Sequence, residues 1–477
     1  MSEDLLEELE EWKLEAKLES SKRYFYHTRV VDRLSKGKKS YVIGRKGTGK
    51  TAISQYLASS TGEGEFAQKL SFKNFPFNTL YELEDSGFTS PNQYITLWKY
   101  MIYSSICKML SRNKSVDLGS RQKLQKLFND DLESAFPSAV AKWTGLNFDI
   151  KILGNGIGVG ANKNSSGDRK IEISERVEIL EKFIFGLVGS DKYLILFDEL
   201  DEDYKDIIEP EKYDKYTELL TSLFKAVQDV RSRFRDRKVY PIVFLRDDIY
   251  DILQDPDKNK WTDFKVELDW NRESIKNMLA FRISRAIDEN SEPKSFESVW
   301  EEVFKKGQVR YGDRASKSMP IFEYITRSTQ NRPRDYIRYI QVCASQALEE
   351  GKEKITPQIV KKEGKSFSNY LKTEIEDEIH GAIPEIKRIL NIFTKLRKQT
   401  LSIDEFRELY ESEVASGNIP KRDYQFVLEI LFMFSVIGNA PKQKTHQVFR
   451  YKDKEARLNM NENIIVHRGL FRALQIL

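Results

Sequence analysis

Residues Tyr41-Val42-Ile43-Gly44-Arg45-Lys46-Gly47-Thr48-Gly49-Lys50-Thr51 run from a β-branched stretch into a glycine-rich loop, and the helix formers Ala52 to Leu57 follow at once. The spacing G-x-x-x-x-G-K-T lets Gly44, Gly47 and Gly49 take backbone angles closed to other residues. Successive N–H groups from Gly44 through Arg45, Lys46, Gly47, Thr48 and Gly49 can then point inward at the α- and β-phosphates of a nucleotide. Lys50 would reach the β- and γ-phosphates, and the Thr51 hydroxyl would ligate Mg²⁺. The helix that starts there adds the positive end of its dipole to the same anion.

A second apolar run, Tyr193-Leu194-Ile195-Leu196-Phe197-Asp198-Glu199, reads as a buried strand ending in two carboxylates, a Walker B pattern. Asp198 would hold the Mg²⁺ shell and Glu199 would polarise the attacking water. The interval from Thr51 to Asp198 is 147 residues, and an irregular segment, 113–172, accounts for its length as an insertion. Within it a charged helical piece near 120–134 precedes Phe148 to Ile152 and then alternating glycines, Gly154 to Gly160, which suggest a hairpin. Lys69 to Phe72 and Val239 to Arg246 supply further strands, and Val266-Glu267-Leu268 would close a five-stranded sheet. Arg246, at a strand's C-terminal edge, stands where open α/β sheets bind ligands and could read the γ-phosphate; the plainer reading is a surface ion pair with Asp247 or Asp248.

Ahead of the sheet, Leu5, Leu9, Trp12 and Ala16 share one helical face over residues 1–20, which would dock on its own domain or serve as an oligomer-forming arm. From Arg272 the pattern turns helical, through Ile275, Met278, Leu279 and Ile283, then Val299, Trp300 and Phe304, then Ile321, Tyr324 and Ile325. Asn331-Arg332-Pro333-Arg334-Asp335 opens a further helix, with proline at the first turn, where its missing N–H costs nothing. The last segment gives helices over 385–397, 403–414 and 421–435, a short strand at Thr400 to Ser402, and a hairpin of Gln447 to Tyr451 with Asn463 to His467, which is a winged-helix outline. The expected division is an arm over 1–36, an ATPase core over 37–270, a helical lid over 271–383 and a winged helix over 384–477.

Composition narrows the function classes. With 40% hydrophobic and 32% charged residues the chain reads as soluble and globular, and no apolar run approaches a membrane span. The acidic start, with Glu3, Asp4, Glu7 and Glu8, is unlike a secretory leader, so the expected compartment is the cytoplasm. Two cysteines and four scattered histidines offer neither a disulfide framework nor a metal-ligand spacing. Net charge is +4, but residues 384–477 carry sixteen Lys and Arg against eleven Asp and Glu, so the basic excess lies in the tail.

The order of phosphate loop, Asp-Glu strand, arginine-tipped strand, helical lid with Arg-Pro-Arg-Asp and winged helix resembles the AAA+/STAND group of P-loop ATPases. Within that group it is most similar to bacterial stand-alone STAND-like ATPases with GRKGTGK-type loops and DELD-type strands; the likeness covers roughly residues 20–477. The resemblance implies a parallel sheet of order 5-1-4-3-2, ATP with Mg²⁺ as ligands, and a nucleotide-driven switch read by a partner, often in antiviral defence or signalling. It matches Arg246 to the sensor-1 arginine of STAND proteins, and Pro333 with Arg334 to the lid motif near adenine and γ-phosphate, with Asn331 standing where that motif has glycine. Because no effector domain is fused here, the effector would be a separate polypeptide; a homo-oligomer is expected from Arg282, Arg285 and the lid arginines, which could reach a neighbouring subunit's ATP, and from the apolar stripe of residues 5–16.

The leading expectation is therefore a regulatory ATPase with slow hydrolysis. Its rival is an origin-recognition-like loader whose winged helix grips duplex DNA; a charge of +5 on that segment permits weak, salt-sensitive contacts without demanding them. A small-molecule kinase is a poorer fit, since Glu199 beside Asp198 suits water activation.

Overall fold

The structure, a computed structural model, describes residues 2–476 except 84–88, 90–91, 133–134, 146–147, 149, 151–152, 154–171, 202–209, 291 and 442–446. The chain forms two compact units. One holds residues 27–45 and 50–268; the other holds 1–26, 46–49 and 269–477.

The first unit is built on five parallel strands: β1 (Tyr41–Ile43), β2 (Glu65–Ser71), β3 (Lys192–Asp198), β4 (Lys238–Leu245) and β5 (Lys265–Glu267). Their order is β2-β3-β4-β1-β5, which read from the β5 edge is the expected 5-1-4-3-2. In register, Val42 lies between Phe244 of β4 and Val266 of β5. Every residue of β3 after Lys192 is buried, as a parallel strand covered on both faces requires. The helix Ile95–Arg112 buries 15 of its 18 residues, so it is wrapped on all sides rather than along the one stripe its sequence shows. It packs on helices Leu118–Leu127, Ile173–Leu187 and Pro210–Arg233.

The charged helical piece near 120–134 is the helix Leu118–Leu127, and a second helix, Phe136–Thr144, follows it. Leu124, Phe128, Phe136, Val140 and Trp143 join the core under the sheet, so this part of the insertion is integral to the unit. The glycine hairpin expected at Gly154 to Gly160 lies outside the described residues.

The second unit is mostly helical. Its N-terminal helix, Ser2–Glu10, stops well short of residue 20 and is followed by a 3₁₀ turn at Ala16–Leu18. Leu5, Leu6, Leu9 and Trp12 are buried, and the helix lies on Pro333–Glu349, so the apolar stripe docks on its own unit instead of offering a free oligomer surface. Helices Arg272–Ile287, Phe296–Val303, Ile321–Ser328, Pro333–Glu349 and Pro357–Ile379 make the expected helical segment. Asn271 and Ser274 close a capping box at the start of the first. An antiparallel hairpin, β6 (Gln308–Tyr311) with β7 (Lys317–Pro320), interrupts them and was not expected from the sequence.

The C-terminal part has helices Ile386–Leu396, Ile403–Ala415 and Tyr424–Met433, with strands β8 (Thr400–Leu401), β9 (Ile437–Ala440) and β10 (Asn463–Val466) in the antiparallel order β8-β10-β9. The expected hairpin is thereby corrected: β10 pairs with β9, while Val448 only bridges Asn439. Gly438 explains the crowding, since a Cβ there would lie 2.6 Å from the Val448 carbonyl and 2.8 Å from the Phe449 ring. The third helix begins at Tyr424 behind an Asp423 cap, so Lys421 and Arg422 precede it.

Candidate functional site

Within the sheet unit, Lys50, Asp198, Glu199 and Arg246 stand at or just beyond the C-terminal ends of β1, β3 and β4, three strands that are neighbours in the sheet. Lys50 and Thr51 form the first turn of the helix Lys50–Ser59. Lys50 Nζ donates to the Gly44 carbonyl at 2.7 Å and to that of Arg45 at 3.0 Å, which folds the amine back into its own loop. Burial pulls its pKa down, against the opposing pull of Asp201 and Asp247.

Asp198 closes β3 with a buried side chain, and Lys69 Nζ of β2 lies 2.9 Å from its Oδ2. The two meet as charges without hydrogen-bond alignment, and neither atom has a hydrogen-bond partner among the described residues. The other oxygen, Oδ1, accepts from the Glu199 N–H at 3.0 Å. Glu199 has φ +62°, an angle uncommon for a residue with a side chain and costly unless its surroundings enforce it. One such constraint is the Ser71 hydroxyl, which donates to Glu199 Oε2.

Arg246 is buried and bound by carboxylates: Nε and Nη2 reach the two oxygens of Asp248 at 3.0 and 2.6 Å, and Nη1 lies 3.6 Å from Asp201. Arg246 thus stands in a buried ion pair with Asp248, where the plainer sequence reading expected a surface pair.

The apex of the loop, Lys46–Gly49, belongs with the helical unit. Trp270 Nε1 donates to the Thr48 carbonyl at 2.9 Å, and Thr48 is buried. Gly47 and Gly49 have φ of +81° and +98°, so the loop needs glycine at both. Gly47 is also tight, since a Cβ there would lie 3.3 Å from Arg334 Cβ. The Arg334 N–H and Arg332 Nη1 make long contacts, 3.5 Å each, to the carbonyls of Gly47 and Lys46.

Arg332 is enclosed, 1% exposed, between Asp335 at 3.0 Å and Glu378 at 2.7 Å. Burial opposes its charge, but the two carboxylates outweigh that and raise its pKa. Pro333 is buried at the first turn of its helix, and Arg334 Nη1 lies 3.2 Å from Glu374, which Lys46 Nζ approaches at 3.6 Å. Asn331 has φ +54°, the left-handed angle for which the related motif uses glycine; asparagine tolerates it better than most residues.

Sequence reasoning missed Lys69, Ser71, Trp270, Glu374 and Glu378. Their partners are far away in the chain and no local pattern marks them. Lys442 and Lys444 lie outside the described residues.

Residues 273–376 match the family model of the FunZ-associated C-terminal helical domain. No curated protein matches the chain. Among solved structures it is similar to the Aeropyrum pernix ORC2 protein in ADPNP–ADP complexes, with 13% identity over 94% of this chain and 90% of that one and a TM-score of 0.41. It is likewise similar to the Aeropyrum pernix ORC1 protein in complex with DNA, with 12% identity, 94% and 90% coverage and a TM-score of 0.39. Drosophila ORC bound to DNA gives 10% identity, 99% and 91% coverage and a TM-score of 0.31. Among the described residues no helix is long and apolar enough to cross a membrane.

Proposed function

We propose that this chain is an AAA+/STAND-type regulatory switch that binds ATP at Gly44–Thr51 and hydrolyses it slowly. The observation that carries the reading is the placement of Lys50, Asp198 and Glu199 beyond the C-terminal ends of β1 and β3, the two strands that flank β4, with the Lys50 amine held inside the glycine loop. The loop N–H groups and Lys50 bind the phosphates.

Thr51 and Asp198 are hard oxygen donors of the kind magnesium prefers, and the buried Asp198 Oδ2, with a charge beside it but no hydrogen bond, suits a cation. Magnesium, when bound, would neutralise charge on the β- and γ-phosphate oxygens. Glu199, restrained by Ser71, orients a water toward the γ-phosphorus. The water oxygen bonds to phosphorus as the bridging P–O bond to ADP breaks, releasing ADP and phosphate.

The readout of the switch is assigned to the C-terminal module, for which three helices and the β8-β10-β9 sheet support a winged-helix reading. It would dock a separate effector in the cytoplasm, in the manner of defence or signalling switches, with self-association as a further step. Calorimetry tests the core of this reading. Wild type should bind Mg-ATP and Lys50→Ala should not; equal affinity in the two would remove the assignment.

A further inference from the structure

Two glutamates one helical turn apart on Pro357–Ile379, Glu374 and Glu378, face the two arginines that flank Pro333. The two halves of this arrangement differ in charge. Arg332 is matched by both Asp335 and Glu378 and is enclosed, so it has no capacity for an anion. Arg334 and Lys46 share the single carboxylate of Glu374, which leaves one excess positive charge on groups 26% and 31% exposed. Lys46 is in the phosphate loop itself, and Arg334 Cβ lies next to Gly47.

We propose that Glu374 is an internal anion that occupies Lys46 and Arg334 until the polyphosphate of a nucleoside triphosphate displaces it. This rests on the reading of Gly44–Thr51 as a nucleotide site. The exchange is chemically even, one oxyanion for another on the same two cations, and a glutamate 18% exposed can swing toward water once released. Glu374 thereby sets a threshold: nucleotide must outcompete a tethered carboxylate before the lid arginine can join the phosphates. Arg332 and Glu378 play no part in the exchange and hold the turn that presents Arg334.

The test is titration of the full chain with Mg-ATP in wild type and in Glu374→Gln, Glu374→Asp, Arg334→Gln and the Arg334→Gln/Glu374→Gln double variant, with folding checked by circular dichroism. Glu374→Gln should bind about fivefold tighter, the scale of a partly exposed ion pair. Glu374→Asp, which keeps the charge but shortens its reach, should also bind tighter, and so supplies the result if the glutamine variant folds poorly. In the Arg334→Gln background the gain from Glu374→Gln should fall to about twofold or less. Binding by wild type with equal or weaker binding by both Glu374 variants would overturn the placeholder role alone. Absence of binding in wild type and variants would overturn both it and the nucleotide site.

Discussion

Lys69 Nζ of β2 lies 2.9 Å from Asp198 Oδ2 of β3, with the lysine side chain 11% and the aspartate 2% exposed. The parallel register sets Ser71 opposite Asp198, so Lys69, two residues earlier, projects from the same face of the sheet. The acid expected to hold a metal thus carries its own counter-charge. Removing one partner of a buried pair strands the other, at a cost of about 3 kcal/mol. Lys69→Met should lower stability by that amount in denaturant titrations without divalent cations, and an unchanged midpoint would mean that the contact is electrostatically idle.

Glu199→Gln should leave ATP affinity unchanged and slow turnover by roughly 10²–10⁴, the range for a lost proton-accepting group. Glutamine keeps the shape and can still accept from Ser71, so only the charge that polarises water is removed. Phosphate-release assays at saturating ATP decide this, and wild-type turnover in the variant would take Glu199 out of the chemistry.

The two arginines around Pro333 should separate by stability. Arg332→Ala strands Asp335 and Glu378 in a closed site and should cost about 3–5 kcal/mol, whereas Arg334→Ala breaks a partly exposed pair worth about 1 kcal/mol or less. Thermal unfolding of the two variants side by side is the measurement. Similar losses would mean that the enclosure of Arg332 contributes nothing beyond a surface pair.

What could be read in the sequence follows from how local each feature is. The phosphate loop and β3 rest on contiguous signals, three glycines with Lys50 and an unbroken apolar run, whereas the sheet order rested on the resemblance to P-loop ATPases and not on any single stretch. The β6-β7 hairpin was invisible because each four-residue strand buries one side chain, Val309 and Met319, too little for a period of two to register. The strand Ile437–Ala440 was hidden by a glycine and an asparagine that ordinarily signal a turn. Lys69, Trp270 and Glu374 could not be found at all, since each acts on a residue more than a hundred positions away.

Arg246→Ala should destabilise the protein and weaken ATP and ADP by the same factor. With Nε and Nη2 both on Asp248, the guanidinium holds that acid and, at longer range, Asp201. A γ-phosphate reader would instead lose ATP selectively, by roughly 1.5–3 kcal/mol for a charge-assisted bond. Calorimetry with both nucleotides separates the two roles.

The C-terminal module supplies the prediction that divides effector docking from DNA binding. Of the basic groups near its third helix and between β9 and β10, Arg422 pairs with Glu385 at 2.5 Å, Lys454 pairs with Asp269 at 2.7 Å, and Arg450 is buried. Lys421 and Lys452 are exposed. Four of the ten residues of the third helix, Val427, Leu428, Leu431 and Phe432, turn inward, while Phe426, expected in the core, is exposed. With few exposed cations among the described residues, together with Lys442 and Lys444, the module would neutralise about three phosphates, and affinity for a duplex should then fall roughly 40-fold between about 50 and 200 mM salt. Because Arg450 is enclosed, the informative control is Lys442→Ala/Lys444→Ala/Lys452→Ala. A labelled duplex titrated at the two salt concentrations should show weak binding that vanishes at the higher one. Tight binding that survives the higher salt and is lost in the triple variant would make this module a DNA grip and the chain a loader.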